Sequence, residues 1–331
     1  MSFDDALPVI FMGVMGLAML AYVVLDGYDL GVGMLLPRAS DQHKDMMIAT
    51  IGPFWDANET WLVLGVGVLL IAFPTAHGMV LTALYLPVAL MLLGLILRGV
   101  AFDFRVKARD QHKPLWNSAF FFGSALASAA QGWMLGHYVT GLQRGWQYQV
   151  FSATIALALP AAYALIGACW LILKTEEELQ RRAVHWARQA WLPVVLGMGL
   201  ISVVTPLVSP TVRSRWFRMP EFIVLLPIPL MTAVALVALL VLLNSGHVLG
   251  RLCWMPFALV VAVFVLGFVG LAYSLYPYVV VDRLTLWQAA SSPESLKIIL
   301  VGVAVTVPAI AAYTVLAYRV FRGKARDLRY G

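Results

Sequence analysis

Continuous apolar runs constrain this chain more than any other feature, because about 20 residues of helix are needed to cross a hydrocarbon core of about 30 Å. Runs of that kind lie near 7–34, 53–73, 78–100, 116–140, 150–173, 191–209, 222–243, 254–276 and 296–318. They are continuous rather than alternating, which selects helices over a closed barrel, the two architectures that satisfy every backbone group in lipid. Composition agrees, with 61% of the 331 residues hydrophobic and 12% charged, against roughly 25% charged in ordinary soluble domains. A soluble enzyme is thereby excluded. The expected fold class is an all-α integral membrane protein with about nine transmembrane helices. The loops are short and no low-complexity linker divides them, so residues 1–331 read as a single polytopic membrane domain. Its motif-bearing part spans about 1–140 and its second half about 141–331.

The distribution of cations orients the chain. Ser2, Asp4 and Asp5 precede the first run without the basic segment of a cleavable signal, so this run is expected to be retained as the first span. With nine spans, one side collects 17 of the 23 Lys and Arg residues, from Arg38 and Lys44 through Arg181, Arg182 and Arg188 to Arg322, Lys324, Arg326 and Arg329. The other side holds the remaining 6: Arg144, Arg213, Arg215, Arg218, Arg283 and Lys297. Short cytoplasmic loops carry the excess, so the N-terminus is expected outside and the C-terminus inside. The net charge of +6 therefore reflects topology, and no basic patch interleaved with aromatics points to nucleic acid. The inner loop from Lys174 to Ala190, with Glu176, Glu177 and Glu178 before Arg181 and Arg182, is expected to form a solvated amphipathic turn with helical charge pairs at i, i+4.

Acidic residues inside the spans carry the functional signal. Of 17 Asp and Glu residues, Asp26, Asp29, Asp56, Glu59 and Asp103 stand in or at the rim of spans, where charge is costly and usually faces a bundle interior or a cavity. Asp26 and Asp29 are three apart and share a helix face, as do Asp56 and Glu59. The alternating direction of the first three spans brings all five toward the inner side. Carboxylates gathered in a low dielectric repel one another and lose hydration, which suits them to exchanging protons near neutral pH. The competing interpretations are that Arg98 and Arg105 pair with these acids and staple helices together, or that the oxygens form a cation site. Gly27 and Gly31 allow close approach of another helix, and Trp61 is one of several tryptophans near span ends.

Other chemistries have little support. His43, His112, His185 and His247 fall in inner loops, His77 in an outer loop and His137 near the outer end of the fourth span. None forms an obvious pair for a haem iron, and no metal-ligand spacing surrounds Cys169 or Cys253. No catalytic residue and no metal site is assigned. A proton- or cation-coupled secondary transporter would also gather acids within its spans, but it would be expected to show paired broken helices.

The motifs LDGYDLGVGML at 25–35, IGPFWDANETWLV at 51–63, RGVAFDFR at 98–105 and Gln131-Gly132 resemble subunit II of the cytochrome bd-type quinol oxidases. Several members carry Gly at the position of Ala57 and Gln at that of Glu59. The chain length and the WDANETW wording look more like the cyanide-insensitive branch. The resemblance implies two four-helix bundles plus a peripheral helix, in a respiratory complex of the bacterial inner membrane that oxidises quinol outside and reduces O2 to water. It implies that haems b558, b595 and d are ligated by the partner, subunit I, and none by this chain. A structural ubiquinone in subunit II and a small single-helix accessory subunit are further features of relatives. It also implies that Asp26, Asp29, Asp56 and Asp103 match positions of cytoplasmic proton delivery, and Trp61 one beside an oxygen-access route.

Overall fold

The computed structural model describes residues 2–325; Arg326 and Arg329 of the inner cation set lie outside them. Helix α1 (Phe3–Leu35) starts at a capping box, with the Ser2 hydroxyl accepting the Asp5 N–H and the Asp5 carboxylate accepting the Ser2 N–H. That exchange satisfies two N-terminal donors that the helix leaves unpaired. The short α2 (Asp41–Ile51) leads into α3 (Trp55–Ala72), α4 (Pro74–Lys107), α5 (Lys113–Val139) and α6 (Trp146–Lys174). Helix α7 (Glu177–Val208) is followed by α8 (Pro210–Trp216), α9 (Glu221–Leu225) and α10 (Pro227–Leu243). Helix α11 (Met255–Leu275) precedes a two-stranded antiparallel hairpin, β1 (Tyr278–Val280) with β2 (Leu284–Thr285), then α12 (Leu286–Ala289) and α13 (Pro293–Val320).

Among the described residues, eight helical segments are long and apolar enough to cross a membrane, α9 and α10 counting as one. Helix α5 is the ninth long helix. At 27 residues it spans about 40 Å, but it carries Ser124, Ser128 and Gln131, all buried against its neighbours. Helices α1, α3, α4 and α5 pack as one bundle, α6, α7, α10 and α11 as a second, and α13 lies outside against α3 and α1.

Small residues set the seam between the bundles. A Cβ on Gly31 would stand 1.8 Å from the Tyr163 carbonyl oxygen, and one on Gly167 would stand 2.6 Å from the Gly31 carbonyl carbon. The backbones of α1 and α6 therefore touch, as the glycine spacing predicts. Gly94 and Gly123 join α4 to α5 in the same way, each Cβ position lying under 3 Å from the other residue's carbonyl oxygen. Tyr28 stacks on Trp170 across the seam, with ring centroids 4.1 Å apart.

Three features depart from expectation. The stretch read as a solvated loop is the first half of α7, which begins at Glu177 and buries Leu179, Ala183, Trp186 and Ala187. These residues recur every three or four positions, so the segment gains by packing its apolar stripe. Helix α4 continues to Lys107 and breaks helical geometry at Leu84, three residues before Pro87, whose ring clashes with the preceding turn and removes a hydrogen bond. Helix α2 occupies what the apolar scan leaves as a loop, because its mixed composition gives no membrane signal. At the same end, the Lys174 Nζ donates to the carbonyls of Phe321 and Gly323 at 2.7 and 3.1 Å, and Lys324 donates to Thr175 at 2.7 Å. These bonds tie the chain after α13 to the end of α6.

Candidate functional site

Three of the five predicted carboxylates meet where the C-terminal parts of α1 and α4 come beside the start of α3. Asp26 and Asp29 are one turn apart on α1, and both are fully buried. Glu59 approaches from the second turn of α3, with 28% of its side chain exposed. Arg98, on α4 and 2% exposed, donates from Nη1 to Asp26 Oδ1 at 2.6 Å and from Nη2 to Glu59 Oε1. The planar guanidinium thus bridges three helices with two of its donors. By charge it balances one of the three carboxylates.

Asp29 is held differently. The buried Asn58 amide, one residue before Glu59, donates to Asp29 Oδ2 at 2.8 Å and to the Tyr28 hydroxyl at 2.9 Å. The Tyr318 hydroxyl of α13 donates to Asn58 Oδ1 at 3.1 Å and lies 2.5 Å from the Tyr28 hydroxyl. Among the described residues, Asp26 Oδ2 and Asp29 Oδ1 are buried acceptors without a donor. Buried polar atoms are almost always paired, so two orphan carboxylate oxygens a turn apart mark a place where hydrogen bonding is incomplete within this chain. Deeper in the bundle, Gln131 of α5 links α1 to α6: its Nε2 donates to the Tyr22 hydroxyl at 2.8 Å, and the Tyr163 hydroxyl donates to its Oε1 at 2.7 Å.

The remaining predicted residues sit elsewhere. Asp56, in the first turn of α3, and Asp103, near the C-terminal end of α4, are exposed in this chain. The five acids share a side of the molecule, but they do not form one cluster. Asp103 stands five residues after Arg98, about 140° round α4 from it, whereas Asp56 shares the Glu59 face but lies a turn nearer the start of α3. Of the two arginines expected to staple acids, Arg98 does so. Arg105 instead bonds Asp45 of α2 at 2.7 Å and Asn117 of α5 at 2.5 Å, a pairing hidden from sequence because α2 carries no apolar signal. Trp61 is 7% exposed and packs with Ala18 and Tyr22 of α1, its indole N–H donating to Thr314 of α13 at 3.2 Å.

Asn58 and the tyrosines escape a search for charge. Asn58 had one available signal, a polar residue between Asp56 and Glu59 in a span. Tyr318 had none, since its contacts lie about 260 residues away in sequence. The six histidines are exposed or half-buried, and the described residues contain no cluster of three or more metal-ligating side chains.

Residues 7–321 match the family model described as cytochrome bd terminal oxidase subunit II. The chain is similar to the cytochrome bd ubiquinol oxidase subunit 2 of Bacillus subtilis, 28% identical over 326 residues and 91% of each chain. It is also similar to the cytochrome bd-I ubiquinol oxidase subunit 2 of Escherichia coli, 26% identical over 361 aligned positions that cover 95% of this chain and 94% of that one. A chain in the structure of the bd oxidase from Geobacillus thermodenitrificans has the same fold, with a TM-score of 0.73 at 17% identity, covering 96% of this chain and 99% of that one.

Proposed function

The chain belongs to the cytochrome bd terminal oxidase subunit II family, and on that premise we propose that it is the non-haem subunit of a quinol:O2 oxidoreductase in which it delivers cytoplasmic protons toward a haem-bearing subunit I. The observation that carries this proposal is the pair of orphan oxygens, Asp26 Oδ2 and Asp29 Oδ1, beside a cluster whose one arginine balances only one of three carboxylates. An uncompensated carboxylate in a buried site is strongly unfavourable, and a proton relieves it. The acids also form a gradient of exposure along the inner ends of the helices. Asp56 and Asp103 are exposed, Glu59 is half-buried, and Asp26 and Asp29 are fully buried. In this scheme the exposed pair collects protons, Glu59 takes one inward, and the two orphan oxygens hold it at the end of the described path.

Haems b558, b595 and d belong to subunit I in this proposal, where they supply the electron transfer and oxygen chemistry; a structural ubiquinone is the one cofactor that this chain would share. Trp61, at the contact of α1, α3 and α13, is assigned to the side of an oxygen-access route. The complex lies in the bacterial inner membrane with membrane lipid and a small single-helix accessory subunit as further neighbours. The N-terminus is periplasmic and the C-terminus cytoplasmic, as the cation asymmetry supports. Oxygen reduction consumes protons, so drawing them from the cytoplasm while quinol releases its own outside builds a membrane potential without a pump.

The test is oxygen consumption by the purified complex carrying Asp29→Asn, Asp26→Asn or Asp56→Asn. Removal of a positioned proton-transfer group should lower turnover about tenfold or more at the two buried positions, with a smaller loss at exposed Asp56. The haem absorption spectrum should remain unchanged. Full turnover in both buried-site variants would rule out the route, and loss of the spectrum would mean that the acids serve assembly.

A further inference from the structure

Arg38, in the short turn that follows α1, and the first three turns of α7 border a shallow, open cleft of about 390 Å³ lined by Arg38, Glu178, Arg181, Arg182, His185 and Trp186. Three arginines face one carboxylate there. Glu178 binds Arg182, accepting from Nε at 2.9 Å and from Nη2 at 2.6 Å. Arg38 and Arg181 have no carboxylate within 4.0 Å among the described residues and are exposed. Trp186 lies buried at the side of the cleft with 6% of its surface exposed. We propose that this cleft binds the phosphate of an anionic phospholipid in the leaflet on the α6–α7 side, with an acyl chain running up the exposed face of α7.

The helical phase of α7 carries the second half of that assignment. Leu192, Leu196, Leu200 and Leu207 are between 50% and 73% exposed. At about 100° per residue, Arg181 and His185 fall on the same face as these leucines. His185 lies about 10 Å along the axis from Leu192, close to the depth of a headgroup layer. One helix face thus offers a basic headgroup site followed by an apolar track of the length an acyl chain needs. Excess arginine on the inner side explains the charge alone; it does not explain a cleft built from two separate segments at the foot of an exposed leucine stripe. Inorganic phosphate would use the same arginines but gain nothing from the leucines.

The intact detergent-purified complex, titrated with dioleoyl phosphatidylglycerol and with dioleoyl phosphatidylcholine, tests this by native mass spectrometry. Phosphatidylglycerol should occupy a site that phosphatidylcholine does not. The double variant Arg38→Gln/Arg181→Gln should weaken it about tenfold or more without changing haem content, and Glu178→Gln should tighten it, a gain that misfolding cannot imitate. Equal retention of phosphatidylglycerol by wild type and the double variant would overturn the site. Equal retention of both lipids would do the same, as would displacement of the lipid by millimolar inorganic phosphate, which would reassign the cleft to a soluble anion.

Discussion

Arg98 joins Asp26 of α1 to Glu59 of α3 from its own position on α4, so three helices are connected through one guanidinium. Removing one member of a buried ion pair strands the other, at a cost of about 3–5 kcal/mol. Arg98→Gln is therefore expected to lower the thermal stability of the purified protein sharply. Combining it with Asp26→Asn should cost less than the sum of the two single changes, because the variants share one interaction. Strict additivity in thermal unfolding would mean that the ion pair contributes nothing. At this scale the sequence shows which residues are unusual, since a carboxylate inside an apolar run stands out and a spacing of three places two on one face. It does not show that Asp56 and Asp103 are left exposed while Glu59 reaches Arg98. That depends on where along α3 the packing against α1 begins and on the rotation of α4 about its axis, which packing against α5 decides.

Between helices, contact distance is set by what lacks a side chain. The α1–α6 seam closes at Gly31 and Gly167, where a methyl group would meet backbone atoms at 1.8 and 2.6 Å. Overpacking at such a contact costs typically about 1–3 kcal/mol, more where backbone must move. Gly31→Ala and Gly167→Ala should each reduce the yield of folded protein and its unfolding temperature. Gly67, whose added Cβ meets nothing within 4 Å, provides the control: Gly67→Ala should be neutral or slightly stabilising, because Ala is the better helix former by about 1 kcal/mol. Similar losses at all three positions would count against the seam. The existence of the long helices was legible from apolar length, though not that of α2, and the Gly27–Gly31 spacing already pointed to close approach. The first half of α7 was not legible to a membrane scan, because its stripe is narrow and its other face charged; there the 3.6-residue period predicts better than mean hydropathy.

At the level of the molecule, two four-helix bundles meet along α1 and α6, and α13 closes over the α3 face while its following segment is fastened by Lys174 and Lys324. That last helix supplies Tyr318 to the Asn58 network and Thr314 to Trp61, so the final span completes a site begun by the first. The distribution of 17 inner and 6 outer cations among 23 makes a global prediction. A reporter fused at the C-terminus should be active only if it folds in the cytoplasm, and one at the N-terminus only if it is exported. The opposite pattern would invert the proposed direction of proton delivery while leaving the fold unchanged. The cleft proposed for an anionic lipid belongs to this scale too, since it exists only where the turn after α1 comes close to α7.

The amino-acid order alone determined that the chain spans a membrane with about nine helices, which side is basic, and which acids lie where lipid should be, because hydropathy, charge and helical period are local properties. Tertiary structure decided which acids share an arginine, which keep an unpaired oxygen, and that Arg105 serves Asp45 instead. Those outcomes depend on helix rotation, on backbone contact at glycines and on partners far apart in the chain, none of which a window along the sequence can sense.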